Sequence, residues 1–180
     1  LFKYLGNITD LAHYIIENYV IDRDVAVDET LGNGGDCDFL SKNFKKVYAF
    51  DIQPLAIENY RRRCNDNVTL ILDSHENVRE YIKEEIDVAI YNLGFLPGGD
   101  KTITTHAEST LKSIVKTLEI IKSGGFAIIA VYCGHNEGLQ ESEEVMKLVR
   151  SLPKSRFGVM LHKVINRSEN APYLLVIEKK

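Results

Sequence analysis

The sequence predicts an α/β fold, a doubly wound and mostly parallel sheet that closes in an antiparallel pair. Three observations carry this expectation. Short apolar runs alternate with amphipathic helical stretches as far as residue 152, the pattern of strand–helix–strand crossovers. The first three runs each end in an acid, Asp28, Asp51 and Asp73, which sets three carboxylates on one edge of a parallel sheet. Only residues 166–172 separate the last two runs, and a parallel crossover needs about a dozen residues.

Each element follows from its pattern. Ile8, Leu11, Ala12, Ile15, Ile16, Tyr19 and Val20 fall at helical spacing over 8–20, and Asn7 can cap the start. Val25–Val27 is a buried strand ending in Asp28, and the glycine turn at 32–35 leads into a helix over 36–43. A second strand, 47–50, ends in Asp51; Pro54 opens a helix through Cys64. Val68–Leu72 is the third strand, a helix covers about 76–84, and Ile86–Tyr91 is the fourth strand. A long helix then carries Ala107, Leu111, Ile114, Val115 and Leu118 on one side, with Gly124 and Gly125 expected to stop it before a fifth strand at 126–132. A helix over 139–152 ends before Pro153, and strands 157–165 and 173–177 complete a set of seven.

Composition sets bounds on function. The 180 residues, 44% hydrophobic and 27% charged, are enough for one domain spanning 1–180 with a full core. Lys and Arg number 22 against 26 Asp and Glu. A nucleic-acid partner must therefore be held by a local patch rather than by the field of the whole molecule. Cys37, Cys64 and Cys133 are odd in number and widely spaced, which argues against a disulfide framework or a metal site and for a reducing, cytoplasmic setting. The longest apolar run, Phe126–Cys133, is too short to span a membrane. Leu1–Leu5 carries no signal-peptide core, and Leu1 in place of Met points to a trimmed terminus. The oligomeric state is left open, a homodimer included.

Four places along the chain have the residue types of a binding site. Asp28-Glu29-Thr30-Leu31-Gly32-Asn33-Gly34 joins strand to helix, and the N–H groups of that helix, with Asp36 in its first turn, can face a ligand. Cys37 stands where a dinucleotide fingerprint wants its third small residue, and the leading acid suits a positive amine better than a pyrophosphate. The alternative is a tight turn with no ligand. Asp51, nineteen residues past Gly32, can accept both hydroxyls of a ribose, with Ile52 and Gln53 flanking an adenine; alternatively it caps the helix at Pro54. Asp73, Ser74 and His75 suit an adenine edge or, equally, a helix cap. Asn92-Leu93-Gly94-Phe95 has the format of an element found in enzymes that methylate amines. Its polar first residue and a neighbouring carbonyl, here Leu93, accept amine hydrogens, and the aromatic fourth stacks on a base. The alternative returns Phe95 to the core. His13, His106 and His162 read as structural, Arg61–Arg63 as a solvated face, and Tyr132 and His135 as candidate walls of an acceptor pocket.

Asp28–Asp36 (DETLGNGGD), Ala49–Gln53 (AFDIQ), Asn92–Lys101 (NLGFLPGGDK) and the C-terminal INRSENAPYLLVIEK together resemble the bacterial "putative rRNA methylase" family over essentially the whole chain. NLGFLPGGDK is the most specific stretch. The resemblance implies a Rossmann-like class I methyltransferase, with a seven-stranded sheet whose last strand is reversed and S-adenosylmethionine as cofactor. It also implies an RNA substrate, tRNA before rRNA, with the 5-aminomethyl group of the wobble 2-thiouridine receiving the final methyl of 5-methylaminomethyl-2-thiouridine. Glu29, where a small residue is usual, and Gly35, where the loop is often polar, depart from the family pattern. The resulting expectation has two parts. Asp28, Gly32, Asn33, Gly34, Asp36, Asp51, Ile52, Gln53, Asp73, Ser74, His75 and Asn92 hold the cofactor, and Asn92, Leu93 and Phe95 serve the acceptor, with no metal. A small-molecule methyltransferase and a non-enzymatic adenosine-binding module are the competing readings.

Overall fold

The computed structural model describes residues 6–94, 106–133 and 136–180, with the side chains of 136 and 137 left aside. The elements run α1 (Ile8–Tyr19), β1 (Val25–Asp28), α2 (Gly35–Asn43), β2 (Lys46–Asp51), α3 (Pro54–Arg61), β3 (Val68–Leu72), α4 (Val78–Tyr81), β4 (Ile86–Leu93), α5 (Ala107–Ile120), β5 (Ile121–Val131), α6 (Asn136–Ser151), β6 (Phe157–His162) and β7 (Tyr173–Lys179). The strands form one sheet in the order β3-β2-β1-β4-β5-β7-β6. The first five pair in parallel with one another, while β7 is antiparallel to both β5 and β6. This is the reversed last strand that the short 166–172 connection demands.

Alternation along the strands sorts the core into two layers. Ala26, Val47, Val88 and Ile128 face a layer with α1, α2 and α3, through Ile16, Leu40 and Ile57. Val27, Ala89, Tyr91 and Ile129 face a layer with α4, α5 and α6, through Val78, Ile114 and Val149. The N-caps and Pro positions read from the sequence hold. Asn7 accepts from the Asp10 amide at 3.0 Å, and Pro54 is the first helical residue of α3.

α3 ends at Arg61 rather than Cys64, α6 begins at Asn136 rather than 139 and β4 runs on to Leu93; three larger differences have a clear cause. The helix expected over 76–84 shrinks to a 3-10 turn, His75–Asn77, and the single turn of α4, because only Val78 and Ile82 bury themselves there. Gly124 and Gly125 do not stop α5. That helix passes straight into β5 at Ile121, which pairs with Ile86, and the glycines form an irregularity before pairing resumes at Val88–Phe126. Gly124 takes φ +79, and a Cβ on Gly125 would lie 2.8 Å from the Asp87 carbonyl oxygen, so both glycines answer to the bulge. β6 ends at His162, its last partner on β7, rather than at Ile165, which is 93% exposed. Among the described residues no helix is long and apolar enough to cross a membrane, and no cluster of His, Cys, Asp and Glu could hold a metal.

Candidate active site

The strand order reverses between β1 and β4, and the carboxyl ends of β2, β1 and β4 meet at that switch point. The turn after β1 is stitched to β2 and β4. Glu29 N donates to Ile90 O at 2.9 Å, Leu31 N to Phe50 O at 2.8 Å, and Asn92 N to Thr30 Oγ1 at 2.7 Å. Asp51 Oδ2 accepts from Gly32 N at 2.8 Å and its Oδ1 from Gln53 N at 2.8 Å. The turn needs its glycines for backbone reasons. Gly32 and Gly34 take φ +50 and +78, and a Cβ on Gly34 would fall 2.2 Å from the Tyr60 ring. Gly35 has open space where a Cβ would point.

Above this edge lies a cavity of about 840 Å³, at the upper end of the range of about 300–1,000 Å³ usual for small-molecule sites. Its walls include residues 29–36, Asp51–Gln53, Asp73–Glu76, Asn92–Gly94, Thr9, Ser109, Lys112 and Tyr132. The structure thus brings together Gly32, Asn33, Gly34, Asp36, Asp51, Ile52, Gln53, Asp73, Ser74, His75, Asn92 and Leu93. Phe95 and His135 lie outside the described residues. Among the charged side chains of the described lining, acids outnumber bases. Glu29, Asp36, Asp51, Asp73, Glu76 and Glu108 stand against Lys112.

Asp28 is placed differently from the other expected contacts. It shares the sheet face of Ala26, points toward α2 beneath the turn, is fully buried and does not line the cavity. Its Oδ1 accepts from Thr30 N at 3.1 Å, and burial, reinforced by the neighbouring Asp36 charge, pushes its carboxyl well above the usual range. Asp73 lines the cavity but is already engaged by Ser74 N (2.7 Å), Asn77 Nδ2 (3.2 Å) and Tyr81 Oη (2.8 Å). The capping alternative therefore accounts for much of its bonding. Leu93 keeps its side chain buried, and its carbonyl accepts from Tyr132 N at 3.2 Å, so one lone pair is already taken.

The structure gives Glu29 and His13 roles beyond those expected, and fixes how His75, an expected contact, is held. Glu29 reaches toward α5, where its Oε1 accepts from Thr117 Oγ1 at 2.8 Å and Tyr91 Oη at 3.3 Å, while Oε2 is buried without a partner. Burial raises its pKa to about 8. His75 presents Nδ1 to the Glu29 carbonyl at 3.1 Å, which leaves Nε2 as the acceptor, and burial favours the neutral ring. His13, read as structural, lies 2.5 Å from Asp36 Oδ1, and Asp36 Oδ2 lies 2.6 Å from Asn92 Nδ2. The only sequence signal for this is that His13 follows Thr9, a cavity residue, by one helical turn.

Comparison with known proteins agrees with this geometry. Residues 47–178 match the family model described as "Putative rRNA methylase". The chain is 32% identical to the chloroplastic tRNA (mnm(5)s(2)U34)-methyltransferase of Arabidopsis thaliana, over 96% of this chain and 69% of that protein. Among solved structures, a "putative rRNA-methylase" from Clostridium thermocellum shares 34% identity with a TM-score of 0.92, covering 98% of this chain and 99% of that one. A "putative methyltransferase" from Streptococcus mutans, solved in complex with SAH, shares 37% identity with a TM-score of 0.90 over the same shares of the two chains. With its seven-stranded class I sheet, its glycine turn at the switch point and a family match across most of its length, the chain belongs to the "putative rRNA methylase" family and is a methyltransferase.

Proposed function

We propose that the chain uses S-adenosylmethionine to methylate the 5-aminomethyl nitrogen of the wobble 2-thiouridine of tRNA. The carrying observation is the Asn92 amide, held at the carboxyl end of β4 on the wall of a carboxylate-lined cavity. The name of the Arabidopsis relative and the SAH complex of the Streptococcus protein support the same reading.

The residues present fit the cofactor. A lining rich in carboxylates favours a ligand that carries a sulfonium and an ammonium group. Asp51 spends one lone pair of each oxygen on backbone amides and keeps others for ribose hydroxyls. Ile52, 51% exposed at the rim, offers an apolar face to adenine, and His75 Nε2 can accept from its amino group. The bound cofactor supplies an electrophilic methyl group, transferred by in-line displacement.

The chain's own contribution is alignment and exclusion of water. Asn92 holds an N–H of the incoming amine and so aims its lone pair, and Tyr132 and Thr9 wall the same end of the cavity. An alkylamine can arrive neutral and lose its extra proton to solvent afterwards, so no general base is required. The test is transfer of labelled methyl to tRNA from cells lacking this protein, with mass spectrometry of the nucleosides and calorimetry of SAH and NAD beside it. Expected are SAH binding, no NAD binding and one new methyl on 5-aminomethyl-2-thiouridine. Methyl appearing only in rRNA or a small molecule, or tight SAH binding with no transfer, would overturn the reading.

A further inference from the structure

We propose that Asp36 is a positioning residue that turns the Asn92 amide so that its oxygen accepts from the methyl acceptor, and that His13 holds Asp36 in this role. The inference rests on the reading of Asn92 as the group that orients the amine. Its basis is the direction of two hydrogen bonds. A carboxylate carries no hydrogen, so its 2.6 Å contact with the Asn92 side chain runs from Nδ2 to Asp36 Oδ2. By the same rule the 2.5 Å contact with His13 requires a proton on His13 Nε2. Asp36 therefore spends one oxygen on each partner, in a position only 7% exposed.

With one Nδ2 hydrogen on Asp36, the amide end turned away from Asp36 is Oδ1. A half-turn about χ2 would bring Oδ1 against the carboxylate, acceptor to acceptor, and is disfavoured. The other ends of the chain of contacts are fixed as well. The Asn92 backbone is held by its ladder pairing with Ala130 and by Thr30 Oγ1. The His13 ring stacks on Phe39 with centroids 3.8 Å apart and planes within 4°. Residues from α1, α2 and β4 thus define one orientation of one amide.

The chemical consequence is selectivity. An amide oxygen aimed at the acceptor rewards a methyl acceptor bearing N–H and offers nothing to a ring nitrogen that has only a lone pair. The site would favour aliphatic or exocyclic amines for this reason. It also gives Asp36 a role distinct from cofactor contact.

The experiment exchanges the partners. Methyl transfer is measured at saturating cofactor and tRNA for Asp36→Asn, Asn92→Asp, the double exchange, Asn92→Ala, His13→Ala and His13→Gln, with SAH affinity and melting temperature for each. Asp36→Asn should slow turnover by about 10–100-fold, the scale for partners that orient a reacting group. Asn92→Asp should fall as far, since two carboxylates at that separation must share a proton. The double exchange restores one amide donating to one carboxylate with an oxygen toward the acceptor, and should recover most of the rate. His13→Ala should lose kcat without changing SAH affinity, and His13→Gln, which keeps an N–H donor, should regain it. Wild-type turnover in Asp36→Asn beside an inactive Asn92→Ala would overturn the proposal. So would a loss in Asp36→Asn that lies wholly in SAH affinity, or a double exchange no better than either single. Wild-type turnover in Asn92→Ala would instead overturn the reading on which it rests.

Discussion

Asp51 Oδ2 lies 2.8 Å from Gly32 N, so the carboxylate that ends β2 also closes the glycine turn that follows β1. One side chain therefore serves both the shape of the turn and, in the proposed function, the ribose. Asp51→Ala should weaken SAH binding by about 2–4 kcal/mol, the sum of two hydrogen bonds to a charged acceptor. The melting temperature should drop only modestly, because the turn keeps its bonds from Leu31 and Glu29. Calorimetry and a thermal melt decide the matter. Unchanged affinity with a collapsed melting temperature would leave Asp51 as a cap alone.

Asn92 separates binding from chemistry. An amide that fixes the amine contributes chiefly once the amine is present. Asn92→Ala should leave SAH affinity near wild type and slow methyl transfer by roughly a hundredfold or more. Single-turnover transfer to tRNA beside an SAH titration reads both quantities.

Glu29 gives a pH dependence whose sign is fixed. Its pKa in the folded chain, about 8, lies above the ordinary 4.5, with burial as the main cause. The unfolded chain therefore ionises first as pH rises. The contribution of Glu29 to stability is whole below about pH 4.5 and is lost on the way to pH 8. Glu29→Gln keeps the Thr117 contact and cannot ionise, so it should gain about 2–4 kcal/mol over wild type at pH 8 and little at pH 4.5. Urea unfolding at the two pH values checks this. An equal difference at both would show that ionisation is not involved.

The adjacent glycines of the turn should respond oppositely to alanine. Gly34→Ala puts a methyl group into the Tyr60 ring at a positive φ and should cost about 2 kcal/mol or more. Gly35 begins α2 and faces open space, so Gly35→Ala should stabilise by about 0.5–1 kcal/mol. Chemical denaturation of both variants tests the pair.

The sheet was legible because its signals are local and repeated. An acid at the end of a run, as at Asp28 and Asp51, and a connection of seven residues before Tyr173 each constrain topology without knowledge of the rest. Gly124 and Gly125 misled because a glycine pair after a helix resembles a stop, whereas here it relieves a close approach to the Asp87 backbone, which lies on another strand. The cavity lining was legible for the same reason as the sheet, since strand ends on one edge must meet. Asp28 escaped because strand alternation turns it beneath the turn that it begins. His13 escaped because its partner, Asp36, is joined to it only in three dimensions, and a histidine beside an apolar helix face carries no mark of that.

β7 lies between β5 and β6, although β6 precedes it in the chain. As the polypeptide emerges from the ribosome, β6 therefore has no place on the sheet until β7 arrives to bridge it to β5. Until then β5, which carries Tyr132 at its far end, remains an open sheet edge that can pair with foreign strands. The nascent chain is thus most exposed to aggregation in the interval between synthesis of residue 131 and residue 179, and assembly of the sheet border is the step at which a chaperone would matter most.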